Sequence, residues 1–69
     1  MNRSYTVVVE RDEDGVYIAE VPALRSCYTQ GKSVAEAMER IKEVIKLCEK
    51  EQKPENLEFI SLQKLEVPA

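Results

Sequence analysis

The stretch Ser33–Lys50, SVAEAMERIKEVIKLCEK, is the one long helical signal in the chain, and its reading decides the fold. Ser33 stands three residues before Glu36, the spacing of a capping box. In that arrangement the serine oxygen accepts from the Glu36 amide, and the glutamate reaches back to the Ser33 amide. Val34, Ala37, Met38, Ile41, Val44, Ile45 and Cys48 then recur at helical spacing. At about 100° per residue they fill an arc of roughly 120°. Glu36, Glu39, Lys42, Glu43, Lys46 and Lys50 occupy the rest of the helix. Such a stripe needs a surface to lie on, and a small β-sheet is expected to supply it.

Upstream of the helix the chain reads as strands. Ser4–Glu10, SYTVVVE, is rich in β-branched and aromatic residues. Tyr5, Val7 and Val9 are expected to face the helix. Arg11–Gly15, RDEDG, reads as a hairpin turn of type I with Gly15 in a left-handed position. Its three acidic residues lack the alternating ligands and closing glutamate of a calcium loop, because Val16, Tyr17 and Ile18 follow. Val16–Val21 is the second strand, with Tyr17, Ala19 and Val21 assigned to the helix side. Pro22, which has no amide hydrogen, ends the ladder. Pro22–Ser26 is an irregular connection, Cys27–Gln30 a short third strand, and Gly31-Lys32 a tight turn into the helix. Polar residues and Pro54 stop the helix. Leu57–Val67 contains the expected last strand, centred on Gln63–Val67 with Leu65 and Val67 on one face; Leu57–Leu62 reads as either a short strand or a packed loop. The fold expected is α+β: a small antiparallel sheet with one helix packed on one face, in the order β-β-β-α-β.

Composition narrows the function. A chain of 69 residues makes a single domain, residues 1–69. A domain of that size buries only about 60% of its unfolded surface, so self-association is expected. The chain carries 10 basic and 13 acidic residues, for a net charge of −3. That balance suits neither DNA nor RNA, whose phosphates require clustered lysine and arginine. With two cysteines and no histidine it lacks the four ligands of a structural zinc site. No cofactor is expected. No apolar run approaches the roughly 20 residues that span a bilayer. No signal peptide is expected, and Cys27 and Cys48 read as reduced, partly buried thiols of a cytoplasmic protein.

The run from Tyr5 to Ile45 resembles the HicB-type antitoxin family. The resemblance rests on Asp14, Gly15, Tyr17, Ala19, Pro22, Cys27, Thr29, Gly31, Ser33, Glu36 and Ala37, in that order and spacing. It covers about two thirds of the chain. It implies a single HicB-like domain of prokaryotic origin with a truncated RNase H-like fold. It also implies a role as the antitoxin of a toxin–antitoxin system, binding and blocking a small RNA-cleaving toxin. The DNA-binding segment that many members carry has no counterpart before Ala69, so operator binding is not expected of this chain. The loop that ends in Pro-Gly in the family ends here in Arg25-Ser26.

Catalysis is not expected. Two-metal nucleases need several convergent carboxylates, whereas Glu10, Asp12, Glu13, Asp14 and Glu20 cluster mostly at a turn. No histidine is present to activate a cysteine nucleophile. A protein-binding module remains, using Val8, Ile18 and Tyr28 on the sheet face away from the helix and Leu47 on the outer helix face. Self-association to a homodimer or larger oligomer is assigned to Leu65 and Val67. The candidate partner is a small basic toxin protein. The alternatives are an orphan oligomeric domain without a toxin and a weak RNA-binding module, the latter stacking bases on Tyr5, Tyr17 and Tyr28.

Overall fold

A computed structural model describes residues 3–53 and 57–68. Three antiparallel strands, β1 (Val8–Arg11), β2 (Tyr17–Glu20) and β3 (Tyr28–Gly31), are followed by one helix, α1 (Val34–Glu51). The sheet order is β1-β2-β3, so β1 and β3 are its edges. Val9 lies opposite Ala19 and Ala19 opposite Thr29, which fixes the register across all three strands.

The first hairpin closes as its sequence demands. The Gly15 amide donates to the Asp12 carbonyl at 3.1 Å, and Gly15 adopts φ 82°, a conformation open to glycine without a side-chain clash. The Asp12 carboxylate accepts from the amides of Asp14 and Val16, both at 2.9 Å. The acidic run thus spends its first carboxylate on its own backbone.

Expected strand faces and observed faces agree. Ala19 and Val21 are fully buried, and Tyr5, Val7, Val9 and Tyr17 pack on the same core. The strands are shorter than their sequences suggest. Beyond Val8, which sits opposite Glu20, the neighbouring chain offers Val21, whose amide already donates to the Cys27 carbonyl at 2.9 Å, and Pro22, which has no donor. Residues 3–7 therefore run on without joining the ladder.

The helix lies over β2 and β3. Ala37 and Ile41 are its two buried residues, set against Ala19, Val21, Leu24 and Cys27. Ser33 is the N-cap, its Oγ accepting from the Glu36 amide at 3.0 Å. The second half of the expected capping box is displaced by one residue: the Glu36 carboxylate accepts from the Lys32 amide at 3.0 Å instead of from Ser33. Arg40 explains the displacement, pairing with Glu36 at 3.5 Å while donating to the Gln30 carbonyl at 3.0 Å. Val34, assigned to the apolar stripe, is half exposed; it stands in the first turn, ahead of the buried pair. The helix ends at Gln52, whose amide donates to the Cys48 carbonyl at 3.1 Å. Pro54, expected to help stop it, lies outside the described residues.

One expectation is overturned. The last strand, centred on Gln63–Val67, is absent: residues 57–68 are irregular and exposed, and the element order is β-β-β-α. A strand exists only as part of a ladder, and among the described residues no backbone hydrogen bond joins this segment to the sheet.

Gly31 sets the closeness of sheet and helix. A β-carbon at this position would stand 2.8 Å from the Ala37 backbone nitrogen and 3.1 Å from its α-carbon. Substituting Gly31→Ala must push the first helical turn off β3. Overpacking of this kind costs about 1–3 kcal/mol, so the urea unfolding midpoint of Gly31→Ala is expected to drop well below that of the wild type. An unchanged midpoint would show that the turn yields freely.

Candidate functional site

The sheet has one covered face and one uncovered face. Because side chains alternate along a strand, the residues flanking Ala19 and Val9 point away from the helix. In the ladder, Val8, Glu20 and Tyr28 form one row of that outer face, and Glu10, Ile18 and Gln30 form the next. Ile18 is central, with Val8 and Tyr28 at its two diagonals, a separation within reach of long side chains. Val8 and Ile18 are half-buried by their neighbours, and Tyr28 is 62% exposed. The six positions thus hold three apolar groups, two carboxylates and one amide, with no cation among them.

Three of the four residues singled out in the sequence, Val8, Ile18 and Tyr28, therefore share one surface. Leu47 does not belong to it. It is 62% exposed on α1, across the sheet from the other three, and its helical neighbours one turn away include Glu43 and Glu51. Leu65 and Val67 lie in the irregular tail, 88% and 75% exposed. The three tyrosines are separated. Tyr5 donates to the Glu49 carboxylate and Tyr17 packs on the core beneath the helix, so Tyr28 alone is on the outer face.

Polar clamps that the sequence did not announce hold the helix in place. The Gln52 side chain accepts from the Arg25 amide at 3.0 Å and donates to the Arg25 carbonyl at 2.9 Å. Arg3 adds an ion pair to Glu49 at 3.6 Å. Glu49 raises the Tyr5 phenol above its ordinary 10.0 by accepting its proton in a hydrogen bond, burial adds to the rise, and Arg3 works against it. Ser26 adopts φ 55°, a left-handed conformation unusual for a residue with a β-carbon.

No family model matches the chain. Its relatives are nonetheless close. A UPF0150 protein of Synechocystis is 51% identical over 69 residues, covering 97% of this chain and all of the relative. The chain belongs to the UPF0150 family. A member from Archaeoglobus fulgidus is 48% identical over 64 residues, covering 91% of this chain and 93% of its own. One from Helicobacter pylori is 46% identical over 54 residues, with 78% and 74% covered. The family thus spans bacteria and archaea.

The remaining chemistry of this UPF0150 chain is that of its two thiols. Cys27 is buried, and Cys48 is half-buried against the same core. Burial first, and the hydrogen-bonded Cys48 thiol second, push Cys27 from its ordinary 9.0 up to about 12. A thiol so raised stays protonated at neutral pH and is a poor nucleophile. Among the described residues no group of three or more histidine, cysteine, aspartate or glutamate side chains converges on a metal site, and no helix is long and apolar enough to cross a membrane.

Cys27 makes stability sensitive to alkali. Its folded value lies above its unfolded value, so its contribution is complete below pH 9 and is lost as pH rises toward 12. Through that window one proton steepens the decline by up to about 1.4 kcal/mol per pH unit. The free energy of unfolding of wild-type protein is expected to fall more steeply between pH 9 and 12 than that of Cys27→Ala, although the variant starts lower. Parallel curves from denaturant titrations would remove the thiol from this account.

Proposed function

We propose that this chain is a non-catalytic protein-binding module, acting like the antitoxin of a HicA/HicB-type system by covering a small basic RNA-cleaving protein. The observation that carries the reading is the outer sheet face. Ile18, flanked by Val8 and Tyr28, offers an apolar centre, and Glu10 and Glu20 surround it with negative charge. A partner that combines apolar and basic groups is complementary to such a surface in both respects. The net charge of −3 acts in the same direction at longer range. The order of motif residues from Asp14 to Ala37 supports the family analogy, and with it a sheet of truncated RNase H-like design.

RNA is a poorer fit to this face. Its ladder positions hold two carboxylates and no cation, and only one tyrosine is available for stacking. A second reading, an oligomeric domain that has no toxin, is favoured by the large apolar surface of residues 57–68.

The test begins with the tagged chain purified from the organism that encodes it. A small basic protein is expected in stoichiometric amount, and its RNA cleavage is expected to stop when the chain is added back. Ile18→Lys is expected to weaken the complex by roughly 100-fold, the loss of a central contact, whereas Leu47→Lys leaves affinity unchanged. A partner whose cleavage continues in the complex would overturn the antitoxin reading. Equal effects of the two substitutions would overturn the assignment of the surface.

A further inference from the structure

We propose that residues 57–67 are an exchanged strand: two copies of the chain form a two-fold dimer in which each tail adds to the free edge of β1 in the other copy. This specifies the self-association expected at Leu65 and Val67 and does not depend on the antitoxin reading.

The first argument is area. A folded monomer of 7.9 kDa should expose roughly 4,400 Å². This chain exposes 6344 Å², about 1,900 Å² more than that scaling allows. Its radius of gyration is 13.5 Å, against about 11 Å for a compact chain of this length. A standard interface buries about 800 Å² on each partner. The surplus therefore exceeds what a stable dimer needs to cover.

The second argument is where the surplus lies. Leu57, Phe59, Ile60, Leu62, Leu65 and Val67 are all exposed. Pairs of them stand two residues apart, the period at which a strand places side chains on one face. Ser61, Gln63, Lys64 and Glu66 lie between. In an extended chain Leu57, Phe59, Leu65 and Val67 would share one face and Ile60 and Leu62 the other, yet among the described residues this backbone has no ladder. Unpaired backbone beside exposed leucine is a template for addition to a sheet edge.

The third argument selects the edge. On β3 the Arg40 guanidinium already occupies the Gln30 carbonyl, and the Lys32 amide just beyond the strand is taken by Glu36. No comparable side chain covers β1 among the described residues. Residues 57–61 also run beside residues 3–6, the segment that leads into β1, with an open groove between them. The tail is thus on the correct side of the sheet, and a second copy has the same edge free. Reciprocal exchange covers both edges and both tails at once, as two-fold symmetry requires.

The test uses the full chain. Light scattering at micromolar concentration is expected to give twice the 7.9 kDa chain mass. The double variant Leu62→Lys/Leu65→Lys is expected to be monomeric, with dimer dissociation raised roughly 100-fold and the helical circular dichroism retained. Ile18→Lys is expected to remain a dimer, which separates this surface from the partner-binding one. A monomeric wild type, or a folded double variant that dimerises like the wild type, overturns the proposal. Should the double variant not fold, isotope-filtered NMR on a mixture of labelled and unlabelled wild type decides. Contacts from residues 57–67 to β1 of the other copy are expected; tail contacts confined to one copy, or made to β3, overturn it.

Discussion

The approach of the helix to β3 is the constraint from which the rest of the structure follows. Gly31 leaves no space for a β-carbon between strand and helix backbone, so the first turn of α1 rests on the sheet itself. Four polar contacts lock that junction: Ser33 on Glu36, Lys32 on Glu36, Glu36 on Arg40, and Arg40 on the Gln30 carbonyl. All lie within eleven residues of chain. Each is exposed and modest alone, but together they leave the helix one direction in which to leave the sheet. That direction carries Ala37 and Ile41 over Ala19, Val21 and Cys27. The opposite end is held by Gln52 on Arg25 and by Tyr5 and Arg3 on Glu49. One helix covers one face of the sheet, so the second face stays open.

Among the described residues the core has six buried apolar side chains, few even for a chain of 69. Leu24 shows how the fold enlarges it. Its amide donates to the Val21 carbonyl, turning the Pro22–Ser26 loop inward so that the leucine closes the core between β2 and the helix. Ser26 then takes a left-handed conformation to return the chain to Cys27. The cost of that conformation, about 1–2 kcal/mol for a residue with a β-carbon, is offset in part by the Gln52 amide, which grips both backbone groups of Arg25 next to it. Loop and helix terminus thus stabilise one another.

Much of this was legible in the sequence, because much of it follows from periodicity. The helix stripe, the two faces of β1 and β2, the Asp12–Gly15 turn and the Ser33 cap are each fixed by local spacing and by single residue types with particular backbone preferences. What escaped was non-local. A glutamine after a helix looks like any polar helix end, and only the folded chain reveals Arg25 beside it. Leu24 sat in a segment with no period, so nothing distinguished it from a solvent-facing loop residue. Glu36 was read as bonding Ser33, since the motif does not encode the pull of Arg40. The grouping of Val8, Ile18 and Tyr28 was readable from alternation alone, whereas Leu47 shared with them only its exposure. The tail fails for a further reason: its apolar pairs are spaced as in a strand, but a strand forms only beside a partner, and among the described residues no backbone hydrogen bond joins it to the sheet.

The two uncovered regions differ in kind, and the difference bears on how they would work together. The outer sheet face is a finished surface, its side chains held in register by two paired ladders. The tail is unfinished, an apolar sequence whose backbone joins no ladder among the described residues. A strand added at β1 lies in the plane of the sheet, so it widens the face centred on Ile18 without covering it. In an exchanged dimer each copy would keep its own Val8, Ile18 and Tyr28 open. Two such faces on one particle turn the binding of a second partner domain into a local event at raised effective concentration. Self-association and partner binding would then reinforce each other: an edge that is closed against aggregation leaves the face beside it free to bind.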